Sequence, residues 1–141
     1  MAVQDPRWLQ RGDRGEDVRA LQQAINVWLL YQASVGVSTC NDLTRPALLE
    51  EDGIFGPLTE QAVRWMQCRF RLTQDGLAGP LTLGGLARHL ASQGFGELRF
   101  GGRTGVLPVR YLASEAANAL RQQHGLPPMS PAPPAPPSQP A

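Results

Sequence analysis

The stretch Asp52-Gly53-Ile54-Phe55-Gly56-Pro57-Leu58-Thr59 returns 23 residues later as Asp75-Gly76-Leu77-Ala78-Gly79-Pro80-Leu81-Thr82, with six of eight letters unchanged. A phrase reused at such a spacing marks one supersecondary unit used twice. Its letters say what the unit is. Glycine after aspartate can take φ > 0, and the aspartate carboxylate can fold onto nearby amides, so Asp-Gly makes a turn. Gly56 and Gly79 suit an N-cap, and Pro57 and Pro80 suit the first helical position, where no N–H is needed. Thr59 and Thr82 fall in the first helical turn, where a hydroxyl can serve a free amide. Each copy therefore reads as a tight turn that launches a helix, with residues that shape backbone before they touch a ligand.

Working outward, residues 16–30 read as a first helix, with Val18, Leu21, Ile25 and Leu29 on one face. Glu16 and Asp17 sit in its first turn, where acids favour the helix dipole. A second helix is expected over 57–70, burying Val63, Met66 and Phe70, and a third over 80–92, burying Leu83, Leu86, Ala87 and Leu90. Gly94 is a natural stop. Gly84 and Gly85 weaken the third helix, unless they admit a close neighbour. The expected fold class is mainly α, a small three-helix bundle, which closes one modest core.

Upstream of the first turn runs Leu9-Gln10-Arg11-Gly12-Asp13-Arg14-Gly15-Glu16-Asp17-Val18-Arg19-Ala20-Leu21-Gln22, and after it comes Ala62-Val63-Arg64-Trp65-Met66-Gln67. These three blocks, in this order over about residues 8–90, resemble the peptidoglycan-binding-like domain family. That family is a three-helix module usually appended to bacterial cell-wall hydrolases. The resemblance implies a non-catalytic module with a shallow groove for wall glycan or stem peptide. Carried over letter by letter, it points to Asp52, Gly53, Phe55, Thr59, Asp75, Gly76 and Thr82 at the helix ends, where exposed amides accept a carboxylate. Trp65 stands where the family often has a small or polar residue; if exposed, it would stack on sugar or protein. Met66 replaces the family's usual Phe and fills the same core space.

The expected layout is a domain over 8–93, interrupted by a long insertion at 31–51, then a C-terminal extension at 94–126 and a proline-rich, disordered tail at 127–141. The insertion is too apolar for a solvated loop; it either carries function or thickens the core. Within it, Thr44-Arg45-Pro46 followed by 47–51 reads as a short helical turn. In the extension, 97–100 and 106–111 flank the glycine-rich 101–105 as a β-hairpin, and a helix runs from Ser114 to His124 with Gly125 as its stop.

No catalytic constellation, metal set or cofactor motif is present in the sequence, so no enzyme activity, metal or cofactor is expected. A net charge of +1 gives no footprint for nucleic acid, and no apolar run is long enough to span a membrane. The first residues have no basic-then-apolar pattern of a secretory signal, which reads as cytoplasmic, with the envelope reached only by a non-classical or phage-type route. Cys40 and Cys68 are then expected as free thiols, a bridge between them being the alternative. The expected partner is peptidoglycan. The competing reading is a repurposed interaction or structural module whose protein partner contacts 31–51 or 95–126.

Overall fold

The computed structural model describes residues 8–101 and 106–129. The elements are α1 (Glu16–Ser34), β1 (Thr39–Cys40), β2 (Leu43–Thr44), α2 (Pro57–Phe70), α3 (Pro80–Ser92), β3 (Glu97–Arg99), β4 (Arg110–Leu112) and α4 (Glu115–Gln123). The three predicted helices are all present. α1 is the hub. It runs four residues beyond the expected end and buries Val18, Leu21, Ala24, Ile25, Val27, Trp28 and Leu29. A helix apolar on so much of its circumference needs partners all round. It finds them in α3 and also in the C-terminal extension, where β4 and α4 pack against it.

Both turns launch their helices as the repeat predicts. Gly56 and Gly79 are the N-caps of α2 and α3 in extended conformation, with Pro57 and Pro80 as first helical residues. Gly85 admits a close neighbour: a Cβ there would stand 2.7 Å from the Phe70 ring, so α2 and α3 approach through it. The ring of Phe70 also lies 4.7 Å from that of His89 in the last turn of α3. A favourable charge is expected on His89 at that helix end. Instead, desolvation, followed by the nearby Arg69 and Arg88, holds its pKa below the ordinary histidine value.

The insertion is ordered against the helices. β1 pairs with β2 in an antiparallel hairpin, Thr39 opposite Thr44 and Cys40 opposite Leu43. The expected helical turn after Pro46 does not form; residues 45–50 have no regular secondary structure. The reason is Asn26, buried on α1. Its side-chain amide donates to Leu49 O (2.9 Å) and its Oδ1 accepts from Leu49 N (2.8 Å), as a neighbouring strand would. Leu49 enters the core.

Cys40 and Cys68 are bonded, not free, with Cα atoms 6.2 Å apart. The hairpin carries Cys40 to the flank of α2, which no spacing in the sequence shows. The bridge closes a loop of 28 residues. Loop-closure entropy at that length corresponds to about 3.6 kcal/mol. The double variant Cys40→Ala/Cys68→Ala is expected to lose about that much in urea denaturation, with its secondary structure retained.

In the extension, β3 and β4 pair antiparallel, Leu98 opposite Tyr111. Ser114 caps α4 by accepting from Ala117 N (3.1 Å). Leu98, Val106, Val109, Tyr111 and Ala117 share one apolar cluster with α1, α2 and α3. The predicted hairpin tip at 102–105 lies outside the described residues, as does the predicted tail from residue 130 onward. The first residues of that tail, 127–129, are held against α4. Arg121 Nε donates to Pro127 O (3.0 Å), and Asn118 both donates to Met129 O (3.2 Å) and accepts from Met129 N (2.8 Å).

Candidate functional site

Each Asp-Gly turn is held by one buried glutamine from the helix before it in space. On the first turn, Gln22 of α1 donates through Nε2 to Asp52 Oδ1 (3.2 Å), Ile54 O (3.0 Å) and Thr59 Oγ1 (3.1 Å). Its Oε1 accepts from Gly53 N (2.8 Å). On the second, Gln67 of α2 repeats the set atom for atom, with Asp75 Oδ1 (2.9 Å), Leu77 O (2.9 Å), Thr82 Oγ1 (3.0 Å) and Gly76 N (3.0 Å). Thr59 and Thr82 thus accept from a side chain of another helix, where the sequence suggested service to a free amide of their own. The aspartates finish each turn locally: Asp52 Oδ1 accepts from Ile54 N and Asp75 Oδ1 from Leu77 N, both at 3.0 Å. That backbone bond is the main reason the Asp52 carboxyl titrates below its ordinary value.

The N-terminal segment stitches the two turns together. Leu9 exchanges backbone hydrogen bonds with Ala78, while Asp13 and Gly15 pair with Phe55 and Gly53. Gly53 and Gly76 both have φ of +75°, and their missing Cβ atoms matter. A Cβ would stand 3.0 Å from Gly15 O at the first and 2.9 Å from Glu60 Cγ at the second.

The two turns carry equivalent surface clefts of unequal size. Gln22, Asp52, Ile54, Gly56, Pro57, Leu58 and Thr59 line the first, and their repeat counterparts line the second. The first encloses about 140 Å³ and is walled by Leu49 and Glu50 of the insertion. The second encloses about 570 Å³ and is bordered by Trp8, Arg71, Leu72 and Thr73. The sequence profile of the family described as "Putative peptidoglycan binding domain" matches residues 14–86, the span from the first stitch to the third helix and more than half of the chain. The chain belongs to this family. A solved structure described as "The crystal structure of SleB N-terminal domain" is 32% identical over 62% of this chain and 97% of that chain, with a TM-score of 0.42. No curated protein matches the chain.

In this peptidoglycan-binding domain, the residues named from the sequence divide sharply. Asp52 and Asp75 are exposed at the mouths of the two clefts. Gly53 and Gly76 are buried beneath them, and Thr59 and Thr82 are consumed by the glutamines. Phe55 and Trp65 are core residues, each 1% exposed. The Trp65 indole donates to Leu43 O (3.0 Å) beneath the insertion hairpin. It offers no face to a ligand.

Gln22 and Gln67 hold the two turns but are not among the site residues expected from the sequence. The signal was present: each follows the apolar pair of Val-x-x-Leu or Val-x-x-Met at the same place, a polar letter on a buried helical face. Gln67→Ala is expected to cost about 2 kcal/mol, because it strands the buried Gly76 N–H and releases the turn. Chemical denaturation measures the cost, and amide exchange at Gly76 and Leu77 should quicken selectively.

Proposed function

We propose that this chain is a non-catalytic peptidoglycan-binding module and that the wall polymer enters the larger cleft, at the second Asp-Gly turn. The observation that carries this reading is the asymmetry of the two clefts on a duplicated frame. The insertion narrows the first with Leu49 and Glu50, while the second stays open beside Trp8 and Arg71. Membership of the family supports the class of ligand. The groups best suited to chemistry have structural duties, which supports a binding role. Both cysteines are in a disulfide, and Glu51 is committed to Arg121 and Asn26. The Cys40–Cys68 bond also supports work outside a reducing compartment, where the wall lies.

Co-sedimentation of the purified chain with sacculi tests this. Saturable binding is expected, and Leu81→Asp, at the 74%-exposed rim of the open cleft, should weaken it without unfolding the protein. A second reading has its own support: Val35, Leu43 and Leu48 of the insertion are all exposed. An apolar surface of that kind suits a protein partner. On that reading a folded sample leaves sacculi unbound, and Leu43→Asp disrupts a complex.

A further inference from the structure

The geometry points to a peptide carboxylate bound by Arg71 in the open cleft, in place of a sugar stacked on an aromatic ring; this inference rests on the reading of that cleft as the binding site. The choice follows from where the aromatic rings are. Sugar recognition by stacking needs an uncovered aromatic face. Trp28 and Trp65 are each 1% exposed and lie edge to face, ring centroids 5.5 Å apart. Trp8 borders the cleft, but its ring covers Gly79: three atoms of its six-membered ring stand 2.9–3.1 Å from where a Cβ would be. That face is already spent on the backbone, and only part of Trp8 reaches solvent.

What the cleft does offer is an aliphatic wall with one cation. Leu72, Leu77, Pro80 and Leu81 supply the wall, and Arg71 supplies the guanidinium. No hydrogen bond or ion pair occupies that guanidinium among the described residues. Its planar fork matches a carboxylate, and a charge-assisted pair of this kind is stronger than a neutral one. Arg71 is also placed at a backbone cost. It ends α2 in the left-handed region, φ +62°, a position that glycine or asparagine fills with less strain. Asp75 at the same mouth has Oδ1 committed to Gln67 and Leu77. The ligand that fits an aliphatic wall ending in a single arginine is a short peptide with small apolar side chains and a free carboxylate.

The test is co-sedimentation of the full chain with three probes: intact sacculi, sacculi whose carboxyl groups have been amidated beforehand, and glycan strands stripped of peptide. Intact sacculi should bind. Amidation, and separately Arg71→Gly, should each weaken binding about 10- to 100-fold, the range of a charge-assisted hydrogen bond. Stripped glycan should not bind. Because glycine suits the left-handed backbone at 71, the variant should melt no lower than the parent. Arg71→Asn, which also tolerates that conformation, repeats the test should the glycine variant be less stable. Arg110→Gln, on β4 and outside the cleft, removes the same charge and should bind like the parent. Full binding by Arg71→Gly or by amidated sacculi, equal loss in Arg110→Gln, or binding to stripped glycan overturns the carboxylate assignment while the wall-binding function stands. Failure of the parent chain to bind any probe overturns both.

Discussion

Replacing Glu51 with alanine is expected to destabilise the protein by about 3–5 kcal/mol, a large part of a small domain's total stability. The reason is Arg121. Its side chain is 1% exposed, and both terminal guanidinium nitrogens donate to the Glu51 carboxylate at 2.7 Å. Once Glu51 is gone, the charge remains buried with Pro127 O as its one acceptor among the described residues. Glu51 also accepts from Asn26 Nδ2 (2.8 Å), the residue that clamps Leu49, so the insertion loosens with it. The measurement is urea denaturation of Glu51→Ala, Arg121→Met and the double variant Glu51→Leu/Arg121→Met. A buried pair replaced whole by apolar side chains is often tolerated. The double variant should therefore recover most of what Glu51→Ala loses, and the coupling energy comes from the cycle. Additive losses would show that the two residues act separately.

This pair marks the boundary of what the sequence could tell. The turns and helix starts were legible because their causes are local: Asp-Gly supplies the turn, and Gly-Pro supplies the cap and first helical residue within a few positions. The capped helix α4 was legible for the same reason, from Ser114 and Gly125; the hairpin was legible only in part, since its second strand falls at Arg110–Leu112 and residues 106–109 of the expected strand lie outside the pairing. Glu51 and Arg121 are 70 residues apart, and nothing near either one announces the other. Cys40 and Cys68 meet only because the hairpin folds back on α2. The stretch after Pro46 has letters that suit a helical turn, but Asn26 takes up both Leu49 backbone groups, and no helix forms there. The open cleft was half legible. Its lining is the repeat itself, yet the difference from the first turn depends on where the insertion runs.

Trp65→Ala is the second variant expected to cost about 3–5 kcal/mol, the range for emptying a large buried aromatic site. From sequence alone, Trp65 was a candidate for stacking on a ligand, because the family often has a small or polar residue there. Its burial has a physical cause in the insertion at 31–51. The insertion hairpin lies on that side of α2. Leu43 O accepts from the indole at 3.0 Å, and Cys40 is bonded to Cys68 one turn further along the same helix. The large side chain and the added segment therefore form one unit: the hairpin covers the tryptophan, and the tryptophan anchors the hairpin. Two variants separate the contributions. Trp65→Phe keeps a ring against Trp28 but loses the bond to Leu43 O, and should cost less than Trp65→Ala by roughly 2 kcal/mol. In Trp65→Ala the residues of β1 and β2 should also lose amide protection before the rest of the chain does. Sacculus binding per folded molecule should stay at the parent level in both variants, because Trp65 does not line the open cleft, to which α2 contributes Gln67 and its C-cap Arg71. A stable Trp65→Ala protein with weakened sacculus binding would return the tryptophan to the ligand surface.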